Sequence, residues 1–310
     1  MKLLVTGGAG FIGKTLVSLL LKEGHEVSVL DNFSTGRREN IPHEVECFEG
    51  DAADQLMVEK ALAGVDGVFH LAAIPSVIIS ENVPLINQHS GEVSLLSVLA
   101  ASLRSKSVKR IVYASSAAVY GDCPNLPVNE AAQLKPLSNY AVSKLAGELY
   151  LRAACFRQDR LDTVSLRFFN VYGPGQQPDS SYAGVITKFV KYIAEKTPPL
   201  IYGDGNQKRD FIWVEDVVRA CLLAMISTKR FSGRPINIAS GLESSVLSVW
   251  DALSKATQST LEPEFRAARC GEIRDSLADC SLAEALLGFK AETNLDDGIN
   301  LLISGKNNYS

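Results

Sequence analysis

The apolar run Lys2-Leu3-Leu4-Val5-Thr6 ends in Gly7-Gly8-Ala9-Gly10-Phe11-Ile12-Gly13 and passes directly into a stretch with helical periodicity that reaches Lys22. Three glycines at this spacing, Gly7, Gly10 and Gly13, set between a strand and a helix, constrain the fold more than any other feature of the chain. Without side chains the backbone can turn tightly there, and the free amides of the helix N-terminus can meet an anion at close range. Glycine also gathers in ordinary turns, so the loop alone is a weak signal and its surroundings decide.

Those surroundings repeat along the chain. Apolar segments recur at Leu3 to Thr6, Glu26 to Leu30, Val45 to Phe48, Gly67 to Leu71, Arg110 to Ala114 and Thr163 to Phe168. Helical patterns separate them at Gly10 to Lys22, Asp54 to Ala61, Asn82 to Ser105 and Ser138 to Gln158, the last opening on Ser138 as a cap. Strands alternating with helices predict an α/β fold: a doubly wound parallel sheet of the Rossmann type. From Asn170 the turns Gly173-Pro174-Gly175, Pro198-Pro199 and Gly203-Asp204-Gly205 cut the chain into shorter pieces. A helix over Val214 to Ile226 and a strand over Pro235 to Ile238 return to the sheet, and helices at Leu247 to Ala256 and Ser281 to Leu287 fill a smaller C-terminal lobe. The expected division is residues 1–169 plus about 211–239 for dinucleotide binding, and about 170–210 plus 240–310 for a substrate-binding lobe.

The 310 residues are 46% apolar and 21% charged, ordinary globular material, and the net charge of −4 offers no basic surface for nucleic acid. No apolar run approaches the roughly 20 residues of a membrane span. Residues 2–5 meet glycine at once, unlike a secretion signal, so the chain reads as cytoplasmic. Six cysteines without a CxxC pair and four histidines without ligand spacing predict neither a disulfide framework nor a metal site.

Two further features lie on this frame. Asp31 follows Gly13 by 18 residues (31 − 13), at the end of the second strand pattern, where a carboxylate accepts from adenosine ribose hydroxyls. It favours NAD over NADP; Arg37 and Arg38 are placed to meet a 2′-phosphate, but Asp31 would repel it. Asp51 suits either the adenine amino group or the cap of the next helix. Tyr140 and Lys144 stand at i and i+4 on one helix face. Bringing a tyrosine from about 10 to near 7 takes roughly 4 kcal/mol, which a close ammonium and an oxidised nicotinamide ring are expected to supply in a desolvated cleft.

At this point the chain resembles the extended short-chain dehydrogenase/reductases, the nucleotide-sugar epimerase and dehydratase group. The resemblance rests on Thr6 to Gly13 (TGGAGFIG), Asp31 to Gly36 (DNFSTG), His70 to Ala73 (HLAA), Tyr113 to Gly121 (YASSAAVYG), Tyr140 to Lys144 (YAVSK) and Arg167 to Gly173 (RFFNVYG). It continues through Ile201 to Val217 and Gly271 to Asp279, nearly the whole chain. The resemblance implies Ser116 and Tyr140 as catalytic hydroxyls and Lys144 as the residue bonding the nicotinamide ribose. It implies bound NAD on Gly7, Gly10, Phe11, Ile12 and Gly13, on Asp31, Asn32, Ser34, Thr35 and Gly36, on Asp51 and Ala52, on Leu71, Ala72 and Ala73, and on Phe168 and Val171.

The residues after the serine discriminate chemistry within the group. The sugar 4,6-dehydratases resemble Thr-Asp-Glu there, whereas this chain has Ser116-Ala117-Ala118. What remains is reversible oxidation at C4 of a UDP-hexose. By resemblance Arg209 and Arg269 meet the diphosphate, Asn170 a phosphate oxygen, Glu272 the uridine ribose, and Val185, Leu200 and Tyr202 frame the nucleoside; Arg209-Asp210 as a surface ion pair and Tyr202 as core are the plain alternatives. Ser276 stands where epimerases confined to small hexoses resemble a tyrosine, which leaves room for an acetamido group. The expectation is a UDP-N-acetylglucosamine 4-epimerase for polysaccharide assembly, with UDP-glucose as a second substrate. A UDP-glucose or UDP-uronate 4-epimerase and a catalytically quiet NAD-binding interaction protein are the alternatives.

Two departures stand out. Gly91 occupies the position aligned with an asparagine of relatives, so either the long helix is locally irregular or Gln88 or His89 substitutes. Ile78-Ile79 makes the sugar-side loop more apolar. Relatives commonly form a homodimer through a four-helix bundle of the helices at Asn82 to Ser105 and Ser138 to Gln158; Leu95, Leu96, Leu99, Leu145 and Leu149 fit that face or the intramolecular core equally.

Overall fold

The computed structural model describes residues 1–157, 159–177, 184–268 and 273–305. Among these residues twelve strands appear in chain order: β1 (Lys2–Thr6), β2 (Glu26–Asp31), β3 (Glu46–Glu49), β4 (Gly67–His70), β5 (Arg110–Ser116), β6 (Asp162–Phe168), β7 (Asn170–Tyr172), β8 (Leu200–Tyr202), β9 (Lys208–Trp213), β10 (Arg234–Ile238), β11 (Glu243–Ser245) and β12 (Glu264–Arg266). Seven of them form one sheet in the order β10-β6-β5-β4-β1-β2-β3. All its pairings are parallel, as the strand and helix alternation predicts.

A parallel sheet covered on both faces needs strands apolar on both sides. Every residue of β6 and β4 is buried accordingly. Helices α1 (Phe11–Lys22) and α8 (Val214–Ile226) lie against one face, with Leu16, Val17, Leu20, Val217 and Cys221 in that core. On the other face α2 (Gln55–Ala61) contributes Val58 and Ala61, α5 (Ser94–Arg104) contributes Leu95, Val98 and Leu99, and α6 (Asn139–Arg157) contributes Leu151. Leu3, Leu4, Leu16, Leu20, Leu30 and Leu95 have no exposed surface, and each such burial contributes about 2 kcal/mol.

The turn-rich region folds around its own core. Sheets β11-β9-β7 and β12-β8 carry Phe211, Trp213 and Ile201 against Phe189 of α7 (Val185–Glu195), Trp250 of α9 (Val246–Thr257) and Ile299 of α11 (Leu295–Ser304). A short helix, α10 (Ser281–Leu287), packs back on the main core. The strands β7, β8, β9, β11 and β12 carry too few residues for periodicity to reveal them.

One expected element is corrected. The single helix over Asn82 to Ser105 is instead α3 (Val77–Asn82), α4 (Pro84–Gln88), a π-helical turn at His89–Val93 and α5. Pro84 sits in the first turn of α4, where its missing N–H costs nothing. The irregularity that Gly91 suggested is thus the π turn. Neither Gln88 nor His89 supplies the polar link: His89 turns to Asp51 at 3.2 Å, and the buried Asn87 donates to the Asn139 carbonyl at 3.3 Å.

Capping also sorts two expectations. Ser138 accepts from the Ala141 amide at 3.2 Å, as expected of the residue opening α6. Asp54, not Asp51, caps α2 by accepting from Leu56 and Met57. Of the leucines shared between two readings, Leu95 and Leu99 belong to the core, Leu145 packs on the small cluster around Tyr120 and Phe169, and Leu96 and Leu149 are exposed. Among the described residues no helix is long and apolar enough to cross a membrane.

Candidate active site

A cavity of about 840 Å³ opens at the C-terminal ends of the central strands. It runs from the β1–α1 turn, where strand order reverses between β2 and β4, toward α7 and β8. This is the place where open α/β sheets receive ligands.

The glycine turn forms a cradle with no room for side chains. Gly7 has φ +72°, and a Cβ on it would lie 2.8 Å from the Ala72 nitrogen; one on Gly13 would overlap the Gly7 carbonyl oxygen. Gly10 heads α1 with no side-chain cap, which leaves the first amides of the helix to an outside acceptor. Asp31 accepts from the Ala9 amide at 2.9 Å and the Phe33 amide at 2.8 Å, so the carboxylate both shapes the glycine turn and faces the cavity. Asn32, Ser34, Thr35, Asp51, Ala52, Leu71, Ala72, Ala73, Phe11, Ile12, Phe168 and Val171 also line it. Gly36 does not; it packs behind the wall, where its Cβ would meet Ala9 at 2.7 Å. A cradle of backbone amides beside a fixed carboxylate fits the pyrophosphate and adenosine ribose of NAD.

Several residues of this half escape sequence reasoning. Asn40 donates to the Ala9 carbonyl at 2.8 Å, Gln177 donates to the Thr35 carbonyl at 3.2 Å, and Ser90 and Ser94 reach the wall from the π turn. None carries a spacing signal, because each arrives from a distant segment.

Tyr140 and Lys144 stand one turn apart on α6, with Ser116 at the end of β5 facing them across the same cavity. Lys144 is buried and donates to the Ala114 carbonyl at 2.7 Å; its ammonium lies 5.8 Å from the Tyr140 ring centre and 5.0 Å from that of Tyr113. Burial lowers the lysine pKa to about 8. Burial raises the pKa of Tyr140, while the Ser116 hydroxyl pulls it back; the lowering expected from Lys144 together with an oxidised nicotinamide ring belongs to the NAD-bound site. The lysine sits over the ring and spends a proton on a carbonyl, so desolvation of the phenol prevails.

A buried network steadies this group. Arg167 holds both oxygens of Glu148, at 2.9 and 2.7 Å, and Ser115 donates to Glu148 at 2.5 Å. The Arg167–Tyr120 and Tyr120–Asn237 bonds, at 2.9 and 2.5 Å, extend it to β10. The bidentate geometry compensates the cost of burying both charges.

At the other end Val185, Leu200, Tyr202, Arg209 and Asn170 line the cavity. Asn170 donates to the Asp210 carbonyl at 3.0 Å. The Arg209 guanidinium donates to the carbonyls of Lys208, Arg274 and Ile273 at 2.6–2.8 Å, so it supports the 273–274 segment and is not simply a surface ion pair with Asp210. Arg269 and Glu272 lie outside the described residues.

Ser276 lines a second cavity, of about 190 Å³, which shares Ser116, Phe168, Phe169, Asn170 and Arg209 with the first. Its other walls are Ala117, Ala118, Tyr120, Gly121, Cys123, Leu126, Val128, Ile273 and Asp275. Hydrogen bonds fix them: Val128 to Leu277 at 2.8 Å, Asp279 to Val128 at 2.9 Å and Ser276 to Lys208 at 3.1 Å. The buried Asp210 carboxylate accepts from Ser240, Gly241 and Ala278 beneath them.

The comparisons with known proteins agree with this geometry. The NAD dependent epimerase/dehydratase family matches residues 3–239. A UDP-glucose 4-epimerase of Mycolicibacterium smegmatis is 37% identical over 96% of this chain and 96% of its own. The crystal structure of UDP-glucose 4-epimerase with UDP-glucose from Thermotoga maritima superposes with a TM-score of 0.93 at 34% identity, covering 98% of both chains. A UDP-N-acetylglucosamine 4-epimerase from Methanobrevibacter ruminantium, in complex with UDP-N-acetylmuramic acid, superposes at 0.90 with 35% identity, covering 98% of this chain and 99% of that one. The chain belongs to the NAD dependent epimerase/dehydratase family, as an enzyme whose cofactor is NAD.

Proposed function

We propose that the protein is a UDP-sugar 4-epimerase whose preferred pair is UDP-N-acetylglucosamine and UDP-N-acetylgalactosamine, with UDP-glucose and UDP-galactose as a second pair. The second cavity carries the preference. It opens beside Ser116 and is bounded by Ser276, a small hydroxyl where an aromatic ring would fill the space. Its apolar wall of Cys123, Leu126 and Val128 suits a methyl group, and Ser276 suits an amide. A uronate finds less support, because the Asp275 carboxylate faces the same cavity. The second pair is supported by relatives that are named UDP-glucose 4-epimerases.

Tyr140 takes the proton from the sugar 4-hydroxyl and returns it, and Ser116, on the wall of the same cavity, holds that oxygen. NAD, held by the Gly7–Gly13 turn and Asp31, would supply reversible hydride acceptance at C4, so the cycle would close with no net redox change. Lys144 anchors the nicotinamide ribose and contributes positive charge beside the Tyr140 ring. Ala117 and Ala118 offer no carboxylate to remove water, which favours epimerisation over dehydration. Arg209, Arg269, Asn170 and Glu272 bind the UDP end, and the intact Ser116, Tyr140 and Lys144 grouping speaks against a catalytically quiet binding protein.

Residues 1–169 and 211–239 serve the cofactor and the remainder the sugar nucleotide, in a pathway that assembles polysaccharide. Exposed Val93, Leu96, Val142 and Leu149 on α5, its preceding turn and α6 support a homodimer through these helices. Incubating purified protein with UDP-N-acetylglucosamine and NAD should yield UDP-N-acetylgalactosamine by NMR; its absence, with UDP-galactose formed from UDP-glucose, would reduce the reading to the second pair.

A further inference from the structure

The π turn at His89–Val93 stands between the cofactor cavity and the helix that carries Tyr140. Ser90 and Ser94 face the cavity. On the other side Gly91 is buried against Ser143, which lies between Tyr140 and Lys144 on α6. A Cβ on Gly91 would overlap the Ser143 hydroxyl oxygen yet lie 3.6 Å from the Ser143 Cβ, an ordinary contact.

Hydrogen bonds tie the turn on both sides. Ser94 Oγ donates to the Ser90 carbonyl at 2.5 Å, with the Gly91 carbonyl at 3.2 Å. Its proton is therefore committed, and its oxygen faces His70 Nε2 at 3.4 Å as an acceptor. His70 Nδ1 then takes the hydrogen of Thr6 Oγ1 at 2.8 Å, and Thr6 immediately precedes Gly7. Burial keeps the imidazole neutral, with its pKa lowered to about 3, so one nitrogen donates while the other accepts. Asn87, donating to the Asn139 carbonyl at 3.3 Å, fastens the same segment to the start of α6. A single widened turn inside a helix is rare and recurs at functional sites.

We propose that this turn is a positioning device: Gly91 against Ser143, held by the Thr6–His70–Ser94 chain, sets the spacing between the cofactor cradle and the Tyr140–Lys144 face. The proposal rests on the roles given above to Tyr140 and Lys144. Both requirements at Gly91 are local, since the backbone widens there and any added Cβ must displace the Ser143 hydroxyl.

The test compares NAD-loaded parent, Gly91→Ala, Ser143→Ala and the double variant, with kcat, KM for the UDP-sugar the parent turns over faster, and Tm. Gly91→Ala should lower kcat about tenfold or more, because a displacement of about 1 Å at a reacting group costs up to about 100-fold. KM should change by no more than about twofold, since the UDP end is untouched. Ser143→Ala alone sets the baseline, and the double variant should recover kcat to that baseline because only the 3.6 Å contact remains. An unchanged kcat in Gly91→Ala, or a double variant as impaired as the single one, would overturn the proposal. If Gly91→Ala does not fold, Ser94→Ala removes the tie without adding an atom; a loss in kcat at constant KM supports the device and an unchanged kcat overturns it. A parent inactive on every UDP-sugar would overturn the proposed function and this inference with it, whereas an active parent with an unaffected Gly91→Ala would overturn this inference alone.

Discussion

The two ends of the main cavity are built on different principles. At the cofactor end the shape comes from backbone: Gly7 and Gly13 exclude side chains, the first turn of α1 offers amides, and Asp31 is held by two amides. At the sugar end it comes from side chains and loops meeting from distant segments, with Ser276, Cys123, Asn170 and Arg209 on four separate stretches. The first end is fixed by fold geometry, so it tolerates almost no substitution and serves any member with the same cofactor. The second can be resized by one residue without disturbing the sheet, which is how one scaffold can accept different sugars.

That contrast can be broken in several ways. Where the two ends meet, Tyr140→Phe should lower kcat by about 10³-fold with KM and fold intact, since it removes the proton acceptor alone; steady-state kinetics on either sugar pair checks it. Ser276→Tyr should lower kcat/KM for UDP-N-acetylglucosamine by about 100-fold through steric exclusion while leaving UDP-glucose within about threefold, and equal losses on both would show that the side cavity does not choose the sugar. Asp31→Ala strands the Ala9 and Phe33 amides, so NAD affinity should fall by about tenfold with a lower Tm, at about 1–3 kcal/mol for partners left unmet.

The smallest effect is a pH dependence of stability. His70 is neutral when folded, with its pKa lowered to about 3, and binds a proton near 6.5 when unfolded. The unfolded chain therefore holds more protons between these values, and stability should fall as pH drops below about 6.5, by at most about 1.4 kcal/mol per unit from this group. Denaturation of the parent and of His70→Gln between pH 7 and 5 should differ in slope, the variant being flatter; parallel slopes would show His70 to be solvated.

What the sequence revealed follows the same division. The glycine turn, the sheet and Tyr140 with Lys144 were legible because each depends on short-range spacing: strand to helix, or i to i+4. The short strands β7 and β8 and the walls of the side cavity were not, because they depend on segments such as Val128 and Leu277 meeting across the chain. Gly91 was legible as an anomaly but not as a contact, since nothing in the sequence places Ser143 against it. Tyr140 shows the limit in electrostatics, for spacing gives the neighbouring ammonium but not the burial of the phenol, which acts in the opposite direction.

The direct measurement is the ratio of kcat/KM for UDP-N-acetylglucosamine to that for UDP-glucose, taken on the same preparation of unmodified NAD-loaded protein. The side cavity beside Ser276 predicts turnover of both with a ratio above one. Turnover of UDP-glucose with no detectable conversion of the N-acetylated sugar would contradict the account.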